Sequence, residues 1–357
     1  VSKKRNNMET KILPPIPLQE TVDFLTQLLK IPSPTGDTEA ALEFVAQACA
    51  DLPLTRHHPR KGGLLLSWAG DQTRPRALTA HVDTLGAMVK EIKSNGRLRL
   101  TAIGGFDWHT LEGEGCTVIT GDRRACRGSI LPTKASVHIY GKETQELKRV
   151  AENYEVRLDA RTEDEDETRD LGIEVGDFVY IDPRVEVNEG FIRSRHLDDK
   201  AGVAAIYGAL LALHRAGLKP RYRLDVLISG YEEVGHGASA GWAEYVEELV
   251  AVDMAAAGGD QNSDEFSVGI CAKDSGGPYH LGLRRHLETL AKAHEIPYRV
   301  DVYPHYGSDG EAAWRAGVDL KVALIGPGVD ASHAYERTHR DSLAATIKLL
   351  VAYLLSA

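Results

Sequence analysis

Two consecutive glutamates, Glu232 and Glu233, directly follow the apolar run Leu224-Asp-Val-Leu-Ile228 in the stretch Ser229-Gly-Tyr-Glu-Glu-Val-Gly-His-Gly237. Adjacent carboxylates repel unless a cation or a proton sits between them. The flanking glycines allow a tight turn at a strand end, the edge where α/β sheets bind ligands; the plain alternative is an exposed acidic loop. His81-Val-Asp83 closes a second apolar run. Residues two apart on a strand share a face, so His81 could ligate a metal while Asp83 accepts a hydrogen bond from its other ring nitrogen. His196-Leu-Asp-Asp-Lys-Ala-Gly202 sets Asp198 and Asp199 at a helix entrance. There a carboxylate either caps free backbone N–H groups or bridges two cations. Asp253 follows Leu249-Val-Ala-Val252, and His333 lies in Ser332-His-Ala-Tyr-Glu-Arg-Thr338. Histidine and carboxylate sets without cysteine suit Zn²⁺, Co²⁺ or Mn²⁺. Five ligands with one bridging carboxylate suit two metals about 3.5–4 Å apart.

These residues need strands and helices to hold them. Leu18, Val22, Leu25 and Leu29 recur at helical spacing, and Pro32-Ser-Pro-Thr-Gly36 ends that helix. Asp37 is a candidate N-cap for a second helix, Thr38 to Asp51. Strand-like runs follow at residues 63–68 and 76–83. From about Leu85 to Asp182 helical periodicity is scarce. Short β-like runs such as Cys116-Thr-Val-Ile-Thr120 and Ser136-Val-His-Ile-Tyr140 replace it. The acidic run Thr162–Thr168 reads as a solvated loop or helix edge. Helices are then expected at residues 200–216, 238–249, 277–294, 309–316 and 341–355. Strands are expected at residues 223–228, 249–252, 299–302 and 320–325. This alternation predicts an α/β fold, a mixed sheet flanked by helices. The expected organisation is a discontinuous catalytic domain, residues 9–84 and 183–357, interrupted by a β-rich insertion, residues 85–182.

His81-x-Asp83, Asp198-Asp-Lys-x-Gly202, Glu232-Glu-Val-Gly235, Asp253 and His333 together resemble the M42 family of dinuclear metallo-aminopeptidases, the glutamyl and tetrahedral aminopeptidases. The resemblance runs from about Leu18 onward. An insertion between His-x-Asp and the second aspartate separates it from M20-type enzymes, whose second domain follows the Glu-Glu pair. It implies a zinc-exopeptidase-like fold and two divalent ions per subunit, Zn²⁺ or Co²⁺ or Mn²⁺. His81 and Asp253 would bind one ion, Glu233 and His333 the other, and Asp198 would bridge. Glu232 would be the general base and Asp83 the partner of His81. The implied reaction is hydrolysis of N-terminal residues from short peptides by metal-activated water. The alternative is an amidohydrolase or deacylase acting on a small dipeptide-like metabolite. Residues 81–88 and 332–339 also resemble a branch associated with gene clusters for a dipeptide-type osmoprotectant. Gly307-Ser-Asp-Gly310 resembles a family segment usually written with Thr before Asp. The resemblance also implies a homo-oligomer, from dimer to dodecamer, docked through the insertion. The substrate pocket is expected from the loops Lys273–Gly277 and Tyr303–Asp309.

The chain has 357 residues, 43% of them hydrophobic and 26% charged, an ordinary globular composition. Its formal net charge of −10 argues against a general nucleic-acid binder. No run of about 18 apolar residues predicts a membrane span. The polar start lacks a signal-peptide core, and the four scattered cysteines fit a reducing compartment, so a cytoplasmic protein is expected. Val1 is not an initiator, which leaves Met8 as a candidate native start. Gly237-Ala-Ser-Ala-Gly241 matches the nucleophile-elbow pattern of serine hydrolases. An elbow directly follows its strand, however, and here Glu-Glu-Val-Gly-His intervenes. A non-catalytic scaffold on the same fold should lose its unliganded base first, and Glu232 is present.

Overall fold

The structure is a computed structural model that describes residues 12–242 and 245–357. The candidate start at Met8 lies outside them. The strand Asp71–His81 shows why the main sheet is central. Its last seven residues are all buried, as expected of a strand covered on both faces. Alternation sends Arg76 to the carbonyl of Tyr353 in the helix Arg340–Leu355, and Thr79 to Asp309 in the helix Asp309–Arg315.

Four strands run parallel at the middle of the sheet, in the order Tyr222–Ser229, Asp71–His81, Glu248–Val252 and Lys321–Asp330. Their register aligns Ser229 with His81 and Thr79 with Ala251. Parallel strands in register finish at one edge, so the residues after Ser229, His81 and Val252 are delivered side by side. Beyond Lys321–Asp330 the sheet continues through Glu336–His339 and Phe191–Ser194. On the other side it is edged by Leu64–Trp68 and Thr55–His57. The helices Leu18–Leu29, Leu197–Arg215 and Arg340–Leu355 pack together over the strands. Leu18–Leu29 buries Val22, Leu25, Leu28 and Leu29, the expected apolar stripe.

The chain leaves this layer after His81 and forms a closed six-stranded barrel. Around the barrel the strands are Gly86–Ile92, Leu98–Ile103, Tyr154–Leu158, Ala125–Pro132, Gly115–Ile119 and Phe178–Ile181. Closure removes free sheet edges. The barrel has its own core, including Val89, Leu100, Val118, Ile130 and Val156, separate from the core of the large sheet.

Two expectations fail locally, and one strand is not among those expected. Ser136–Tyr140 is not β. Val137–Tyr140 is one exposed helical turn, closed by Gly141 at φ 55°. The helix expected at residues 238–249 is absent among the described residues. A short turn at Gly237–Ser239 precedes Gly241, whose φ of 104° a right-handed helix does not admit, and Glu248–Val252 is strand. Val268–Asp274, unassigned from sequence, is a strand antiparallel to Lys321–Asp330. No helix among the described residues is long and apolar enough to cross a membrane.

Candidate metal centre

The sheet's carboxyl edge brings His81, Asp198, Glu232, Glu233, Asp253 and His333 to one place. His81 is the last residue of its strand. Its Nδ1 donates to the main-chain oxygen of Asp83 at 2.9 Å, and its Nε2 lies 3.2 Å from Asp198 Oδ1. The expected partner of Nδ1 was the Asp83 carboxylate, which stands farther away, at 3.4 Å. That carboxylate is instead taken up by the N–H groups of Glu232 and Glu233 and by the Thr35 hydroxyl.

His333 repeats the arrangement from another segment. Its Nδ1 donates to the carbonyl of Gly105, in the loop after the barrel strand Leu98–Ile103. Its Nε2 lies 3.4 Å from Asp198 Oδ2 and 3.7 Å from Glu233 Oε2. A carbonyl oxygen only accepts, so Nδ1 of each ring carries a proton; Nε2 is the nitrogen turned to Asp198, donating to it without a cation and free to ligate one once that proton leaves. Each oxygen of Asp198 therefore faces one imidazole. Metal–ligand bonds of about 2.0–2.1 Å in a tetrahedral site put neighbouring ligand atoms about 3.3 Å apart, close to both of these spacings.

Asp198 and Asp199 face different partners. Both have non-helical backbone angles at the start of Leu197–Arg215. Asp199 Oδ1 accepts the N–H of Gly202, as a cap does, and Oδ2 accepts the N–H of His81. Asp198 turns to the histidines. Ligand atoms of His81, Asp199 and Asp253 fall within 4.8 Å of one another, as do those of His81, Asp198 and Glu233. The sequence reading gave Asp199 no separate part. Asp309, noted only within its glycine-flanked segment, closes the glutamate turn. Its carboxylate accepts Ser229 Oγ at 2.6 Å and the N–H of Ala238 at 2.8 Å.

The electrostatics ask for cations. Among the described residues no Lys or Arg forms an ion pair with Asp83, Asp198, Asp199, Glu232, Glu233 or Asp253. Burial opposes charge on Asp198, yet hydrogen bonds from His333 and His81 overcome it and hold that carboxyl well below its usual range. Burial also opposes charge on His333, but Asp198 and Glu233 raise it to about 10. Burial, reinforced by Asp198, pushes Glu233 up to about 8 and Asp253 to about 7. Burial likewise raises Glu232 well above the ordinary glutamate value, with Asp253 and Asp309 adding to it. Such a cluster holds protons or divalent ions, and its N/O donor set fits borderline or hard divalent metals.

A cavity of about 540 Å³ is lined by Asp198, Glu232, Glu233, Asp253 and His333 together with Met254, Tyr303, His305, Tyr306 and Arg315. The Tyr303–Asp309 loop thus lines it as expected. Lys273–Gly277 does not; Ser275 only braces the carbonyl of Tyr306 from behind. Ser239 Oγ donates to the main-chain oxygen of His236, and among the described residues no imidazole hydrogen-bonds to it. Lys61 reaches it, but that ammonium donates to the carbonyls of His236 and Gly237 and to Ser239 Oγ. With all three N–H groups donated it has no lone pair to act as a base.

Known proteins agree with this architecture. YhfE of Bacillus subtilis (strain 168), whose name provisionally assigns it as an aminopeptidase, is 46% identical over 341 residues, 95% of this chain and 98% of its own length. The solved aminopeptidase of the archaeon Desulfurococcus kamchatkensis superposes with a TM-score of 0.85 at 21% identity, covering 95% of this chain and 96% of its own. The TET1 peptidase of Pyrococcus horikoshii, described as assembling into a tetrahedron or a large octahedral shell, gives 0.83 at 22% identity, covering 94% of this chain and all of its own. These two share the fold. Residues 62–349 match the family described as M42 glutamyl aminopeptidase, and with the YhfE likeness this establishes that the chain belongs to that family.

Proposed function

We propose that the chain is an aminopeptidase that holds two divalent ions, zinc or cobalt or else manganese, and releases N-terminal residues from short peptides. The observation that carries this is the placement of Asp198 between His81 and His333, one oxygen toward each Nε2, with both Nδ1 atoms tied to main-chain carbonyls. His81 and Asp253 would hold one ion, Glu233 and His333 the other, and Asp198 both. When bound, such a pair lowers the pKa of a water and polarises the scissile carbonyl.

Glu232 takes the proton of the attacking water and returns it to the leaving amine. Its carboxylate lines the cavity beside the proposed ligands, 3.7 Å from His81 Nε2, which suits this exchange. Asp83 keeps the base in place through the backbone of the turn. A substrate's free α-amine would offer its nitrogen lone pair to the two ions, which limits cleavage to the first residue.

The family and the shells formed by the TET1 peptidase support self-association. We assign it to the insertion, residues 85–182, set in the catalytic unit of residues 9–84 and 183–357. The separate cores support this division. Val137, Ile139 and Val150, exposed on the segment that leaves the barrel, support a docking role.

The decisive comparison is one tripeptide with a free amine and the same tripeptide N-acetylated. Release of the first residue from the free peptide alone is expected. Internal cleavage, or equal attack on both, contradicts an aminopeptidase.

A further inference from the structure

Glu336 opens the strand Glu336–His339, opposite Ser194, which shortly precedes Asp198 in the chain. Its side chain is fully buried. One oxygen, Oε2, accepts the N–H of Asp198 at 3.0 Å, and the other, Oε1, accepts the N–H of His333 at 3.0 Å. No Lys or Arg among the described residues forms an ion pair with it. A buried carboxylate without a cationic partner is costly, so a site that retains one needs its geometry. A carboxylate is the compact group whose two acceptors can serve two backbone donors at once. Here those donors sit on separate segments, the helix entrance and a loop, and the residues that carry them face each other as Asp198 Oδ2 and His333 Nε2 at 3.4 Å.

His333 adds a second reason. Its φ is 62°, in the left-handed region that residues other than glycine seldom adopt. Such a conformation persists only where its surroundings hold it. Glu336 holds the backbone N–H of His333 while the Gly105 carbonyl holds its ring. With Glu336 removed, the ring would keep one tether and the backbone would be free to relax.

We propose that Glu336 is a positioning residue that fixes Asp198 against His333 and thereby sets the affinity of the metal position shared by Asp198, Glu233 and His333. This rests on the two-metal reading above. Glu336 touches neither substrate nor metal in this role; it acts through the backbone of the ligands.

The test is Glu336→Gln, whose amide nitrogen cannot accept the second N–H. The metal-free protein is titrated with Zn²⁺ against a chromophoric chelator, and the visible spectrum of the Co²⁺ form is recorded. One of the two Zn²⁺ affinities is expected to fall about 10–100-fold, the range for partners that orient ligands, with a changed Co²⁺ band and the other affinity nearly unmoved. Glu155→Gln is the control. It removes a buried carboxylate paired with Lys93 and Arg97 in the barrel, and should lower the Tm while leaving both affinities intact. Two wild-type affinities and an unchanged Co²⁺ spectrum in Glu336→Gln overturn the proposal. If that variant does not fold, hydrogen exchange on the metal-free wild type decides. Slow exchange at the Asp198 and His333 amides supports the proposal, and exchange at open-loop rates overturns it. A wild-type protein that takes up no Zn²⁺ refutes the metal reading itself, a result distinct from either.

Discussion

The carboxylate of Asp83 accepts the backbone N–H of Glu232 at 3.1 Å, and its second oxygen accepts that of Glu233 at 3.2 Å. One residue just beyond the strand end thus aims two neighbouring glutamates that leave a different strand. Because Asp83 is fully buried, water cannot replace it. Asp83→Asn should therefore lower kcat/KM about 10–100-fold with little loss of fold. Steady-state rates on an aminoacyl-anilide check this, and an unchanged rate would show that the turn holds itself.

Glu232 and Glu233 are adjacent in sequence yet face different partners. Glu232 Oε2 lies 3.7 Å from His81 Nε2, and Glu233 Oε2 lies 3.7 Å from His333 Nε2. Glu232→Gln is expected to keep its metal and lose about 10²–10⁴-fold in kcat. Glu233→Gln is expected to lose metal first. Metal content and kcat measured on both variants decide the assignment, and the opposite pattern would swap the two roles.

Removing the metal should make stability depend on pH in a defined direction. Burial raises Glu233 to about 8 and Asp253 to about 7. A carboxyl raised in the folded state binds more protons there than when unfolded, so its contribution is complete below the unfolded value, near pH 4, and is lost as pH rises through the folded value. The Tm of the chelated protein should accordingly fall between about pH 5 and pH 8.5, and added divalent metal should flatten that fall. Thermal scans across this range with and without Zn²⁺ measure it; a metal-free Tm that rises with pH over the same window would contradict the assignment.

Five residues before His81, Arg76 anchors the middle of the central strand. It is buried, pairs with Glu248 at 3.2 Å, donates to the Tyr353 carbonyl and lies over the Tyr222 and Tyr353 rings. Arg76→Ala removes the buried partner of Glu248 and leaves it the half-exposed Arg74 at 2.9 Å and Lys321 at 3.6 Å, so it should cost about 1–3 kcal/mol, read by urea unfolding. Metal affinity of the folded protein should stay unchanged, since Arg76 contacts none of the proposed ligands and lies five residues before His81.

How much of this was legible in the sequence follows from where the signal lies. Apolar runs ending in His81, Glu232 and Asp253 announced strands with polar tips, and parallel pairing turned three separate tips into one edge. The β texture of residues 85–182 announced strands but not their closure into a barrel, because closure is a matter of pairing partners rather than of local pattern. Contacts through the main chain left no trace. Gly105 serves His333 across 228 positions, and any residue carries a carbonyl. Glu336 was one more glutamate in a loop until the fold placed its two oxygens under two ligand-bearing residues. The mistaken helix at residues 238–249 had helical composition, but one glycine in the left-handed region overrode it.

Metal stoichiometry against activity bears on everything above. The purified protein is stripped with chelator, then titrated with Zn²⁺, Co²⁺ or Mn²⁺ while bound metal and release of the first residue from a short peptide are followed together. Activity should vanish on stripping and return as occupancy rises to two ions per chain, with His81→Ala and His333→Ala each failing to restore it. Full activity in the stripped protein, or saturation with no metal bound, would contradict the two-metal reading.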